Sequence, residues 1–266
     1  MIFQLEKMPV SWNENTGEIS YFTPEKSILL NEWIGKEISL QFTGRIFCRK
    51  CAKQTKNSFG EGFCYTCFST APEASPCIIN PELCEAHLGK GRDISYEEKN
   101  HNQPHYVYLA ATDVVKVGVT RTTQVPTRWI DQGAASAIIL AETPYRQLAG
   151  EIEVALKEFF TDKTNWQSML KNIQDESIDL AEEKWRIAEE LPSDISNFWI
   201  ENDRIFSFNY PVLKYPEKVS SKTFDKDPLV KGILTGIRGQ YLQLDEKNVI
   251  NLRRHTGYEI DLQVHE

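Results

Sequence analysis

The chain has 266 residues, of which 41% are hydrophobic and 11% aromatic, so it can bury a core and is not a disordered protein. The net charge of −8 argues against a protein coated with basic surface for nucleic acid. Because no apolar run reaches eighteen residues and the first residues lack the apolar stretch of a signal peptide, we expect a cytoplasmic protein that makes no membrane contact.

Residues 1–47 have the pattern of a β segment with turns. Residues 37–43 alternate clearly, with Ile38, Leu40 and Phe42 on one face, as in a half-buried strand. The chain returns to a β pattern in residues 204–266, where short alternating runs are separated by turns. We therefore expect the two chain ends to pair into one small β domain, with the rest of the chain inserted between them.

We expect a zinc-binding module in residues 48–104. Its first part, residues 48–91, is rich in Cys, Gly and Pro and has too few apolar residues to fold without a metal. Its first feature is two Cys-x-x-Cys pairs separated by twelve residues: Cys48, Cys51, Cys64 and Cys67. Two such pairs facing each other suit the tetrahedral geometry of zinc, and four thiolates leave no open position. The sequence therefore predicts a structural zinc site, with an iron centre or a redox pair as the alternatives.

A basic stretch surrounds the first cysteine pair. Residues 43–56 contain five basic side chains and no acidic one: Arg45, Arg49, Lys50, Lys53 and Lys56. They predict either a face that binds nucleic acid, with Phe59, Phe63 and Tyr65 as stacking surfaces, or ordinary solvated surface.

A second group of potential ligands follows, in the order Cys77, Cys84 and His87. With one later histidine, either His101 or His105, these residues would complete a second zinc site. The alternative is two free thiols and surface histidines.

Residues 105–165 carry the pattern of a sheet with helices. Residues 105–111 and 114–120 predict a β-hairpin, residues 127–132 the start of a helix, and residues 137–141 a third strand. Residues 145–160 have the apolar spacing of an amphipathic helix. Residues 166–203 then predict an acidic helical segment. Because residues 158–203 hold twelve acidic and four basic side chains, this part of the chain could contact a basic protein partner.

The order of residues in this central part resembles the GIY-YIG nuclease superfamily. Tyr108 ends the counterpart of the first tripeptide, and residues 116–118 (KVG) stand in place of the second. The resemblance implies catalytic roles for four residues: Tyr108, Lys116, Arg128 and Glu153. In that scheme Lys116 or Tyr108 positions or deprotonates water, Arg128 or Arg121 clamps a phosphate, and Glu153, with Glu151 as the fallback, binds Mg²⁺ or Mn²⁺.

Most of the chain also resembles an uncharacterised bacterial family known as domain of unknown function 2797. The resemblance rests on seven short strings: 62–67 (GFCYTC), 81–84 (PELC), 107–110 (VYLA), 116–118 (KVG), 150–156 (GEIEVAL), 164–166 (TNW) and 236–242 (GIRGQYL). Because that family has no established activity, the resemblance implies no function.

Together these patterns predict an α+β protein. It combines a four-cysteine zinc ribbon with a GIY-YIG-like three-stranded sheet and its helices, flanked by small β segments from both chain ends. Three functions remain open: a metal-dependent nuclease acting on DNA or RNA, a nucleic-acid-binding module that does not cut, and a protein-interaction module.

Overall fold

A computed structural model describes residues 1–24, 28–161, 165–173, 178–188 and 193–265. Parts of the expected acidic helical segment (174–177 and 189–192) and the first residue of the string 164–166 lie outside the described residues. The protein is a mixed α+β protein with several sheets. No helix in the described part of the chain has both the length and the apolar character that crossing a membrane requires.

The described strands are, in chain order, Ile2–Gln4 (β1), Val10–Trp12 (β2), Ile19–Tyr21 (β3), Glu37–Phe47 (β4), Gln54–Thr55 (β5), His105–Ala111 (β6), Val115–Arg121 (β7), Ser136–Thr143 (β8), Ile205–Ser207 (β9), Ser220–Lys222 (β10), Leu229–Arg238 (β11), Tyr241–Leu244 (β12), Asn248–Asn251 (β13) and Tyr258–His265 (β14). The α-helices are Tyr65–Thr70 (α1), Ile94–Asn100 (α2), Thr127–Asp131 (α3), Arg146–Leu156 (α4), Trp166–Leu170 (α5), Leu180–Ala188 (α6) and Ser193–Ser196 (α7). Short 3-10 turns occupy Leu30–Trp33, Pro72–Ala74, Pro76–Ile78, Pro81–Leu83, Ala86–Leu88, Thr122–Gln124 and Arg253–His255.

The chain divides into two compact units. The first unit contains residues 1–69, 130–133 and 209–266, and the second contains residues 70–129 and 134–208. Residues 48–69 of the segment 48–104 belong to the first unit, and residues 70–104 belong to the second. Cys48, Cys51, Cys64 and Cys67 therefore lie in the first unit, and Cys77 and Cys84 lie in the second.

The first unit joins the two ends of the chain, as expected. Its large sheet has the order β1-β14-β4-β11-β12-β13-β10, with β5 paired to β4. The long strand β4 is central: Leu40 is opposite Val230 on β11 and opposite Leu262 on β14. Because these positions are buried, the alternation of residues 37–43 does reflect a core-facing strand, although the strand continues to Phe47.

The second unit is built on a four-stranded antiparallel sheet of order β7-β6-β8-β9. The predicted hairpin is β6 with β7, where Tyr108 is directly opposite Gly118. The predicted third strand is β8, and the predicted amphipathic helix is α4, which ends at Leu156. One face of the sheet packs on α4 and α6 through a core that includes Val107, Val117 and Ile152.

Candidate metal centres

The turn after β4 and the start of α1 bring the four cysteines of the paired motif together. The sulfur atoms of Cys48, Cys51, Cys64 and Cys67 all lie within 4.8 Å of one another. The Sγ atoms of Cys51 and Cys64 are 3.9 Å apart. The group that the spacing predicted is thus formed, and it could bind a metal such as zinc, which four thiolates coordinate tetrahedrally.

The backbone around these cysteines folds into two tight turns. In the first, the Cys48 N–H donates to the carbonyl of Lys53 (2.9 Å), and the Ala52 N–H donates to the carbonyl of Cys48 (2.8 Å). Before the second pair, Gly60 and Gly62 adopt φ angles of 47° and 106°. A Cβ atom at Gly62 would lie 2.7 Å from the Thr256 side chain, so this turn requires glycine for space as well as for conformation.

The electrostatics of the group favour a bound cation. Burial raises the pKa of the Cys48 thiol, but backbone N–H groups of Cys64, Cys51 and Lys50 outweigh it and lower this pKa to about 6. Burial, followed by the sulfur atoms of the other three cysteines, raises the pKa of Cys67 to about 12. Several thiolates at this spacing repel one another, and a divalent metal removes the repulsion. The centre suits a structural metal because its four ligands fill every position.

Two of the basic residues near this centre already have partners. The guanidinium of Arg45 forms an ion pair with Glu259. The guanidinium of Arg49 lies 5.6 Å from the centre of the Phe63 ring and donates to the carbonyl of Glu61. Arg45 is therefore a weaker candidate for phosphate contact than the sequence implied.

The lysines of this region are exposed. Lys50, Lys53 and Lys56 all project from the surface, and Lys53 and Lys56 form no ion pair with any of the residues that the structure describes. Tyr65 is 68% exposed, and its ring packs edge-on against Phe59 at 5.6 Å. This part of the chain combines unneutralised positive charge with an accessible aromatic ring.

Three of the four residues assigned by the nuclease resemblance are buried. Tyr108, Lys116 and Glu153 are 1%, 4% and 8% exposed. The Tyr108 hydroxyl packs against Gly118, where an added Cβ would lie 2.6 Å from it, and its ring packs edge-on against Trp129 at 5.6 Å. This burial limits the access of a phosphodiester to the three side chains.

The remaining candidates of this set lie on the surrounding elements. Arg128 is half-buried on α3, and Arg121 donates to the side-chain oxygen of Asn100. Glu153 lies 3.8 Å from the ammonium of Lys157. Both glutamates lie on α4, where Glu151 is exposed and Glu153 is buried.

A second group of potential ligands lies in the second unit, and it overlaps the predicted set only in part. Four buried residues place one ligand atom each within 4.8 Å of the others: Cys77, Cys84, Glu97 and His101. His87 is not among them, because its ring stacks on Tyr145 at 4.5 Å. His105 is also outside the group, and its Nδ1 contacts the carbonyl of Gln103 at 2.7 Å. Of the residues predicted for a second zinc site, Cys77, Cys84 and His101 therefore lie in this group together with Glu97, whereas His87 and His105 do not.

Sequence spacing could have indicated Glu97, the member of this group that we did not consider, and favoured His101 over His105. Glu97 and His101 are four residues apart, so they lie on one face of a helix. Asp93 caps that helix by accepting from the Tyr96 N–H at 2.9 Å, a recognisable start signal just before the pair.

The fold and the first cysteine group define an α+β protein with four clustered cysteines that could bind a metal. Residues 35–260 match the model of a family described as protein of unknown function (DUF2797), and the chain belongs to this family. No curated protein matches the chain, and no solved structure does.

Proposed function

We propose that this protein binds nucleic acid through the surface around its four-cysteine centre, with zinc as the structural metal. We define this knuckle surface as Arg49, Lys50, Lys53, Lys56 and Tyr65. The observation that carries the proposal is the pair of exposed lysines, Lys53 and Lys56, which lack an ion-pair partner among the described residues and are close in sequence to the exposed ring of Tyr65.

The chemistry of these residues matches a nucleic-acid strand. Lysine and arginine contact phosphates, and an exposed tyrosine stacks on bases without regard to their sequence. Four cations imply a slope of roughly −3 for log affinity against log salt, so raising salt from 50 to 200 mM weakens binding roughly 50- to 150-fold. The net charge of −8 restricts such contact to a local surface of this kind.

The test is fluorescence anisotropy with labelled single-stranded DNA, single-stranded RNA and duplex DNA, using zinc-loaded protein. Lys53→Glu/Lys56→Glu is compared with Lys36→Glu/Lys247→Glu, which changes the net charge equally at exposed lysines of the same unit. We expect the first variant to lose at least tenfold in affinity with a shallower salt slope, and the second to bind nearly as the wild type.

Two results would contradict the proposal. One is a zinc-loaded wild type that retains no nucleic acid at 50 mM salt, which would favour a protein-interaction module whose acidic helical segment meets a basic partner. The other is an equal loss in both double variants, which would show that only the net charge matters. Tyr65→Ala provides an independent check, since loss of a stacking platform weakens binding about five- to hundredfold.

A second candidate function is phosphodiester cleavage by the GIY-YIG-like module. It is favoured by the order of the strands, in which β6 is central between β7 and β8, and by the direct pairing of Tyr108 with Gly118. In this case Glu153 would hold Mg²⁺ or Mn²⁺, and Arg128 would contact phosphate. We rank cleavage below binding because Tyr108, Lys116 and Glu153 are buried.

Cleavage is tested with single-stranded, duplex and branched substrates in the presence of Mg²⁺ or Mn²⁺. The informative pair is Glu153→Ala and Glu151→Ala, which remove a buried and an exposed carboxylate from the same helix. Activity lost only in Glu153→Ala supports the nuclease. Absence of activity in a folded, zinc-loaded wild type leaves binding as the function.

A further inference from the structure

We infer that Cys77, Cys84, Glu97 and His101 form a second metal centre, which binds Zn²⁺ through two thiolates, one imidazole nitrogen and one carboxylate oxygen. All four residues are buried, and their ligand atoms lie within 4.8 Å of one another. Sulfur, imidazole nitrogen and carboxylate oxygen are the three ligand types that zinc uses in proteins. This centre is independent of the proposed binding to nucleic acid.

The geometry of the side chains identifies the ligand atom of the histidine. His101 Nδ1 is 4.0 Å from Cys77 Sγ and is in contact with Glu97 Oε2. The same nitrogen thus faces both a sulfur and a carboxylate, as it would if all three coordinated one ion. The ring of Tyr96 packs edge-on against His101 at 5.5 Å and limits the positions that the imidazole can take.

Charge balance is the second argument. Two thiolates and a carboxylate buried together carry three negative charges, which would be very costly without a compensating cation. Zinc supplies two positive charges, and the guanidinium of Arg146 supplies the third. That guanidinium donates to the carbonyls of Cys77 and Ile78, each at 3.0 Å. The backbone N–H of Arg146 donates to the carbonyl of His101 at 2.9 Å.

The local fold explains why a metal is required. Between residues 70 and 93 the chain forms only short 3-10 turns, and the apolar cluster that the cysteines make with Ala86 is small. Such a segment cannot bury enough apolar surface to hold itself together. A zinc ion bound by Cys77 and Cys84 on one side and by α2 on the other would fix these turns on the second unit.

The first measurement uses the unmodified protein. We expect about two zinc ions per chain by inductively coupled plasma mass spectrometry. At the zinc X-ray absorption edge, we expect about three sulfur and one nitrogen or oxygen neighbour per zinc, the average of a four-sulfur and a two-sulfur centre. One zinc per chain with four sulfur neighbours overturns the inference, and so does a mass showing that Cys77 and Cys84 form a disulfide.

Variants then assign the second ion. Cys84→Ser and Glu97→Gln should each lose about one zinc per chain, whereas His87→Ala should retain both. If Cys84→Ser fails to fold, Gly91→Ala still tests the centre without changing a ligand. A Cβ at Gly91 would lie 2.3 Å from the Glu97 Cγ atom and displace that carboxylate, which should weaken retention of one zinc about ten- to hundredfold.

The matched control for that variant is Gly89→Ala. Gly89 also has a positive φ, 68°, but an added Cβ would meet no atom within 4 Å. We expect Gly89→Ala to keep both zinc ions against a chelator. Equal retention in the two glycine variants would contradict the role of Glu97 as a ligand.

Discussion

Gly150 lies in the middle of helix α4, where glycine is normally unfavourable, and replacing it with alanine should nevertheless destabilise the protein. In an exposed helix, Gly→Ala gains about 1 kcal/mol. Here an added Cβ would lie 2.2 Å from the backbone nitrogen of Glu82 and 2.5 Å from the carbonyl carbon of Pro81. Because these are backbone atoms, no rotamer change can relieve the clash, and either the helix or the turn Pro81–Leu83 must move.

The size of the effect follows from these two opposing contributions. Overpacking of a tightly filled interior costs about 1–3 kcal/mol, and contact with backbone favours the upper end of that range. After the gain in helix propensity is subtracted, we expect a net loss of about 1–2 kcal/mol. With a urea dependence of about 2 kcal/mol per molar, the unfolding midpoint should fall by roughly 0.5–1 M.

The assay is urea unfolding followed by tryptophan fluorescence, with Val154→Ala as the control. Val154 is on the same helix but exposed, so its truncation should change stability by less than about 0.5 kcal/mol. A Gly150→Ala protein as stable as the wild type, or more stable, would refute the reasoning. Because the displaced turn precedes Cys84, we also expect this variant to release zinc from the second centre faster.

Three further predictions concern other parts of the chain. The Lys184 side chain is completely buried and donates to the carbonyl of Asn202 at 2.9 Å. Lys184→Ala should therefore lower the free energy of unfolding by about 2–4 kcal/mol, and Lys184→Met should lower it clearly less. Thermal denaturation measures both, and equal losses of stability would contradict this prediction. Burial and the hydrogen bond that Tyr258 donates to Asp225 raise the Tyr258 pKa to about 12. The urea midpoint of unfolding should therefore fall as the pH rises from about 10 to 12. This fall should be smaller in Tyr258→Phe. Removal of zinc from the four-cysteine centre with a chelator should expose residues 48–69 to proteolysis, while the large sheet of the first unit persists. An unchanged cleavage pattern would argue against a structural metal at the four cysteines.

Local spacing was sufficient to predict the four-cysteine group and the central strands. Cys48, Cys51, Cys64 and Cys67 lie close in sequence, and two residues between the members of each pair already impose the turn that a shared metal needs. Similarly, the alternation in β6, β7 and β8 and the apolar spacing of α4 report directly on which side chains face a core. The short strands β1, β2, β10 and β13 gave no such signal, because three or four residues are too few to establish a period.

The composition of the second candidate group and the exposure of the central residues depended on tertiary structure. His87 follows Cys84 by three residues, but its ring stacks on Tyr145. Glu97 on α2 and His101 directly after that helix lie beside the cysteines. Likewise, the order of Tyr108, Lys116 and Glu153 along the chain does not reveal that packing buries all three. Sequence spacing determines which side chains can meet when they are close along the chain. The packing of elements that are distant in sequence determines which other side chains meet and which remain exposed to solvent.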